Sequence, residues 1–134
     1  VVVRSAAEAR GAVDVAGRGL VLLLSAPGAA GFLGPGAWRA LVQAAGDAPD
    51  ALCCGDAAGD ALAALRAGCR ILVLDHRLPA FATMAAAAAE AGALLLPARP
   101  PALDLRELDL GRPGGRAKLA DWLARAHDTA ALLR

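Results

Sequence analysis

The stretch Ala51–Pro79, ALCCGDAAGDALAALRAGCRILVLDHRLP, decides the fold. It opens with a short apolar run, Ala51 to Cys54, closed by Gly55 and Asp56. Ala57 to Ala67 then sets Leu62 and Leu65 at helical core spacing, and Gly68 stops that helix. Ile71 to Leu74 is a second unbroken apolar block, ended by Asp75, His76 and Arg77. Blocks with no polar alternation suit strands buried on both faces of a parallel sheet. The stretch therefore reads as one β-α-β unit.

The same grammar extends in both directions. Val1 to Val3 is a β-branched run, read as an edge strand. Ser5 and Glu8 form a capping-box pair that opens a helix reaching Ala16. Leu20 to Leu24 reads as a strand, followed by a glycine-rich loop to Gly36 and a helix over Ala37–Ala45. Pro79 suits the first turn of a helix that ends near Ala91. Leu94 to Leu96 is a fifth strand, stopped by Pro97. Residues 97–115 form an irregular Pro/Gly-rich segment, tacked down by Leu103, Leu105, Leu108 and Leu110. The last helix covers Arg116–Leu132, with Leu119, Trp122, Leu123, Ala126, Ala130 and Leu133 on one stripe. His127 near its carboxyl end reads as a structural complement to the helix dipole.

This alternation predicts one α/β domain over residues 1–134, with a mainly parallel five-stranded sheet. Right-handed crossovers leave two ways to cover it. A doubly wound order, of Rossmann or flavodoxin type, places helices on both faces and makes three layers. A simple sequential order places every helix on one face, as in a half-barrel βα array completed by a dimer. The doubly wound order is the expectation because it needs no second chain.

Composition narrows the function classes. The chain has 134 residues, 57% of them hydrophobic, but only 3% aromatic, and 37 are Ala. Bulky side chains are therefore scarce, and a core built largely on Ala contributes little per residue. That scarcity also favours a second copy to complete the core. A net charge of +1 argues against a nucleic-acid binder. The uncharged stretch Gly19–Trp38 is 20 residues long, but Pro27, Pro35 and its glycines interrupt it, so no membrane span is expected. Glu8 and Asp14 precede an apolar run too short for a signal peptide. Cysteines at 53, 54 and 69 form no disulfide framework, so a reducing cytoplasm is the expected compartment. No metal-ligand spacing and no cofactor motif is present.

In open parallel sheets, ligands bind outside the carboxyl ends of the strands. Those ends carry Ser25, Cys54-Gly55-Asp56, Asp75-His76-Arg77 and Arg99. Asp75 and His76 offer an acid–base pair, because imidazole titrates near neutrality. Asp56 and Cys54 are candidate helpers, although two adjacent cysteines in a strand face opposite ways and one belongs to the core. Ser25, Gly28 and Gly31 open the glycine loop, where backbone N–H groups can approach an anion. Arg77 and Arg99 can clamp a carboxylate or phosphate.

Cys54 to Asp75, with Ala64-Leu65-Arg66-Ala67-Gly68 leading into a strand that ends in Asp, resembles a βα unit of aldolase-type barrels. The Schiff-base lysine of those enzymes has no counterpart, since Lys118 in the last helix is the only Lys. Asp75-His76-Arg77-Leu78-Pro79 is similar to the Asp-x-x-Leu-Pro of response-regulator receivers, whose Asp accepts phosphate. The paired acidic residues after a receiver's first strand are missing. In composition the whole chain is similar to small α/β proteins of GC-rich proteobacteria with no assigned activity. Two expectations result. The first is a non-catalytic or regulatory module acting through self-association or a partner. The second is a protein or enzyme that binds a small anionic ligand at the strand ends.

Overall fold

The computed structural model describes residues 1–132, with the side chains of Arg18 and of 127–132 outside the description. The sequence reading of His127, Ala130 and Leu133 therefore lies outside the described residues. Helix α1 (Ala6–Ala16) precedes β1 (Leu23–Leu24), α2 (Ala29–Phe32), α3 (Pro35–Ala44) and β2 (Asp50–Cys53). There follow α4 (Ala58–Arg66), β3 (Ile71–Val73), α5 (Phe81–Glu90), β4 (Leu94–Leu96) and α6 (Pro113–Leu132).

Local chemistry explains the boundaries. The Ser5 hydroxyl accepts from the Glu8 N–H, and a Glu8 carboxylate oxygen accepts from the Arg4 N–H. This pair satisfies one open donor in the first turn of α1 and the N–H of the residue before its cap. Pro35 sits at the start of α3, where its missing N–H costs nothing. The glycine loop holds one more element than expected, the single turn α2. In α4 the buried face is Ala61 and Ala64. Leu62, expected in the core, is instead 38% exposed.

All strand pairs are parallel, and their order is β1-β2-β3-β4. Two expectations are corrected here. Four strands form the sheet, not five, because Val1–Val3 contributes only isolated parallel bridges at Val2, to Leu24 and to Asp104. The order is sequential, whereas a doubly wound sheet must reverse direction from its starting strand. Each crossover here advances the same way, so the helices gather on one face. That face buries Val3, Leu23, Leu52, Cys54, Leu72 and Leu74 in the main core. Trp38 and Val42 of α3 and Leu119 of α6 lie in the same core.

The other face carries Val2, Leu24, Ala51, Cys53 and Val73, each no more than 5% exposed. No second chain is needed to bury them, because the chain covers this face with its own residues 97–104. The segment leaves β4 at Pro97, whose carbonyl accepts from the His76 N–H. Arg99 Nη1 donates to the Ser25 carbonyl at the end of β1. Ala102 packs on the second-face cluster. At the far edge Val2 N–H donates to the Leu103 carbonyl, and Leu105 N–H donates to the Val2 carbonyl. Asp104 thereby forms a parallel bridge to Val2, and its carboxylate holds Arg4. The irregular Pro/Gly-rich segment is thus a strap across the sheet. Its prolines suit it, since an extended strap offers few N–H groups to satisfy.

Candidate functional site

Two hollows border the strap. The lower one, about 310 Å³, is lined mainly by apolar groups, among them Leu20, Leu22, Pro100, Pro101 and Trp122. The upper one, about 580 Å³, lies at the carboxyl ends of the strands. Its floor is Cys53 and Val73. Gly28, Asp56, Asp75, His76, Arg77 and Arg99 stand around it. Six of the nine site residues expected from sequence therefore converge on one cavity, although they come from four separate loops.

Each loop sets its residue by a specific backbone device. Gly55 takes φ +60°, a left-handed conformation natural to glycine, and turns β2 into the Asp56 loop. The Asp75 N–H donates to the Gly55 carbonyl at 2.9 Å, which ties the β2 and β3 loops together. Asp75 then accepts the Arg77 N–H at 2.9 Å, a side-chain turn that caps the loop. The Arg77 side chain returns to the same carboxylate in a fork, with Nε–Oδ1 3.0 Å and Nη2–Oδ2 2.7 Å. These hydrogen bonds from Arg77 hold the Asp75 carboxyl down at about 2. Asp75 is therefore an anion at neutral pH, paired with Arg77 and poorly matched to proton exchange there.

His76 is tethered differently. Its Nδ1 lies 3.1 Å from the Pro97 carbonyl and 4.0 Å from Asp75 Oδ1. A carbonyl only accepts, so the Nδ1 that faces it carries a proton. Arg99 is half-buried and spends one donor on the Ser25 carbonyl at 3.0 Å. No carboxylate pairs with it among the described residues. Asp56 is exposed and likewise has no ion-pair partner among them.

Three expected residues stand outside the cavity. Ser25 is buried; its hydroxyl accepts from the Cys53 N–H at 2.8 Å and donates to the Ala26 carbonyl. Its part is to finish the β1–β2 pairing, while its carbonyl anchors Arg99. Cys54 faces the helix layer, and burial pushes its thiol up to about 12. Gly31 lies within α2, packed near the Asp60 carboxylate.

Cys53 takes the place in the cavity expected for Cys54, and the Pro97 carbonyl is a polar contact the sequence reading missed. Strand alternation carried the cysteine signal: Leu52 and Leu72 mark the helix face, so Cys53 turns away from it. Among the described residues no group of His, Cys, Asp and Glu is arranged to hold a metal ion. No helix among them is long and apolar enough to cross a membrane. The chain matches no family model, no curated protein and no solved structure.

Proposed function

We propose that this chain binds a small anionic molecule in the cavity at the carboxyl ends of β1 to β4. One observation carries the reading. Arg99, half-buried in the cavity wall, has no carboxylate partner among the described residues. A cation held there without compensation favours an incoming carboxylate or phosphate. Arg77, in its fork to Asp75, lines the same cavity, and His76 Nε2 supplies a base if the ligand is turned over. The sequential βα order is that of half a barrel, a frame that presents its loops on one rim. The test is titration with inorganic phosphate and with a simple carboxylate, read by the His76 imidazole resonances. Saturable shifts in the wild type, weakened at least tenfold in Arg99→Gln, are expected. Resonances that ignore both anions would end the reading.

A second reading, self-association, has its own support. Phe32 is 73% exposed, with Leu33 at 40% and Leu62 at 38%. They sit on α2 and α4 or just beyond them, helices in contact with one another. A homodimer through this patch would hide them. Sedimentation at high concentration tests it, with Phe32→Glu expected to return the protein to monomer. A wild-type monomer under those conditions removes the reading. Three unpaired thiols accord with a cytoplasmic setting.

A further inference from the structure

We propose that the ligand is a small zwitterion of aliphatic amino-acid type, its anionic group on Arg99 and its ammonium on Asp56. This rests on the reading that the strand-end cavity takes an anion, and it deepens that reading.

The argument is one of charge accounting within the cavity. Asp75 and Arg77 neutralise one another through their fork. His76 is committed at Nδ1 to Pro97. What remains among the described lining residues is one cation, Arg99, and one anion, Asp56, each without a charged partner. A site for a plain anion gains nothing from the carboxylate, which would repel the ligand.

Both residues line the same cavity and come from adjoining loops. Arg99 is pinned at the end of β1 by the Ser25 carbonyl, and Asp56 follows the end of β2. Those strands pair directly, with Leu24 beside Ala51. Their loops also touch: a Cβ placed on Gly55 would lie 3.8 Å from the Gly28 Cα. Even so, Arg99 and Asp56 do not form an ion pair with each other. A ligand that carries both a carboxylate and an ammonium can meet the two residues within the one cavity. Between them the floor is Cys53 and Val73, with Pro27 and Pro97 at the sides, so the body of the ligand meets apolar surface. That floor favours an aliphatic side chain over a polar one.

The experiment compares three probes by calorimetry on the whole chain: L-leucine, its deaminated analogue 4-methylpentanoate, and its decarboxylated analogue isopentylamine. Leucine is expected to bind at least tenfold more tightly than either analogue. Asp56→Asn should bring leucine down to the level of 4-methylpentanoate, and Arg99→Gln should bring it down to that of isopentylamine. Asp56 is exposed, so a melting curve on Asp56→Asn is expected to match the wild type and exclude misfolding. If 4-methylpentanoate binds as tightly as leucine, Asp56 reads no ammonium; the zwitterion is then overturned while the anion site stands. If no probe binds and phosphate also leaves the His76 resonances unmoved, both readings fall.

Discussion

Arg99 Nη1 donates to the Ser25 carbonyl at 3.0 Å, joining residues 74 positions apart. This single contact fixes the start of the strap to the end of β1 and sets one wall of the strand-end cavity. The strap is held further along by Asp104. Burial pulls that carboxyl upward, but hydrogen bonds from Arg4 and the Arg106 N–H outweigh it and hold it below the usual range.

Removing Arg99 is therefore expected to loosen the strap as well as the ligand site. A hydrogen bond from a charged donor contributes about 1–2 kcal/mol, a factor of roughly 5–30 in a local opening equilibrium. In Arg99→Ala the Val2 and Leu105 amides, which bond across the strap's far end, should exchange faster by that factor. Amides in α3 should not change. Uniform acceleration across the chain would mean a global loss of stability and no separate strap.

Arg77 holds Asp75 near pH 2, and that dependence can be measured directly. In Arg77→Ala the Asp75 carboxyl should climb towards the ordinary carboxylate value of about 4 in a carbon-detected titration. The sign of the linkage follows. A depressed folded-state pKa adds stability above pH 4, and that stability is lost as pH falls towards 2. Both groups are solvent-accessible, so the contribution to folding is small and the titration is the more decisive measurement. An Asp75 pKa unmoved by the substitution would contradict the fork.

The strands and helices were legible because large apolar residues fall in short blocks with Ala-rich helices between them. Ile71–Val73 and Leu94–Leu96 lie within the apolar runs that mark them. Sheet order was not legible, because the choice between one covered face and two depends on what covers the second face. Here the covering element is residues 97–104, which have no periodicity to announce them. Val1–Val3 looked like a strand for its β-branched side chains, yet only Val2 forms ladder-type bridges, one on each side. The site was legible as far as strand ends can be read: Asp56, Asp75 and His76 all line the cavity. What could not be read was which polar groups satisfy each other, since the Arg77 fork and the Pro97–His76 contact depend on loop geometry.

Asp50 shows how the Ala-rich core tolerates one buried acid. Trp38 Nε1 donates to Oδ1 at 2.8 Å, and Arg39 Nη1 reaches Oδ2 at 3.1 Å. Burial nevertheless raises the carboxyl above its usual range, against the pull of both partners. A raised folded-state pKa means that stability is fullest below the unfolded value near 4 and is lost as pH rises through the folded value. Asp50→Asn keeps the acceptor for Trp38 and removes the buried charge, so its melting temperature at pH 7 should exceed the wild type's. Asp50→Ala strands the indole N–H and should cost about 1–3 kcal/mol. If both variants destabilise alike at pH 7, the charge itself is needed and this account of Asp50 is wrong.

The three thiols should differ in reactivity because the sheet separates them. All three are buried, but Cys53 faces the strand-end cavity while Cys54 and Cys69 lie in the main core. Burial moves the Cys54 thiol from 9.0 to about 12, which leaves about a thousandfold less thiolate at pH 8. Iodoacetamide at pH 8 should therefore modify Cys53 first in the native protein, and Cys53→Ala should leave the protein almost unlabelled. A saturating anionic ligand should slow the Cys53 reaction by covering the cavity floor. The raised Cys54 value adds stability that is complete below pH 9 and is lost as pH rises towards 12, so Cys54→Ala should flatten the alkaline limb of the stability profile. Labelling that begins at Cys54 would place the wrong cysteine in the cavity. It would also reverse the assignment of the two sheet faces on which the ligand site depends.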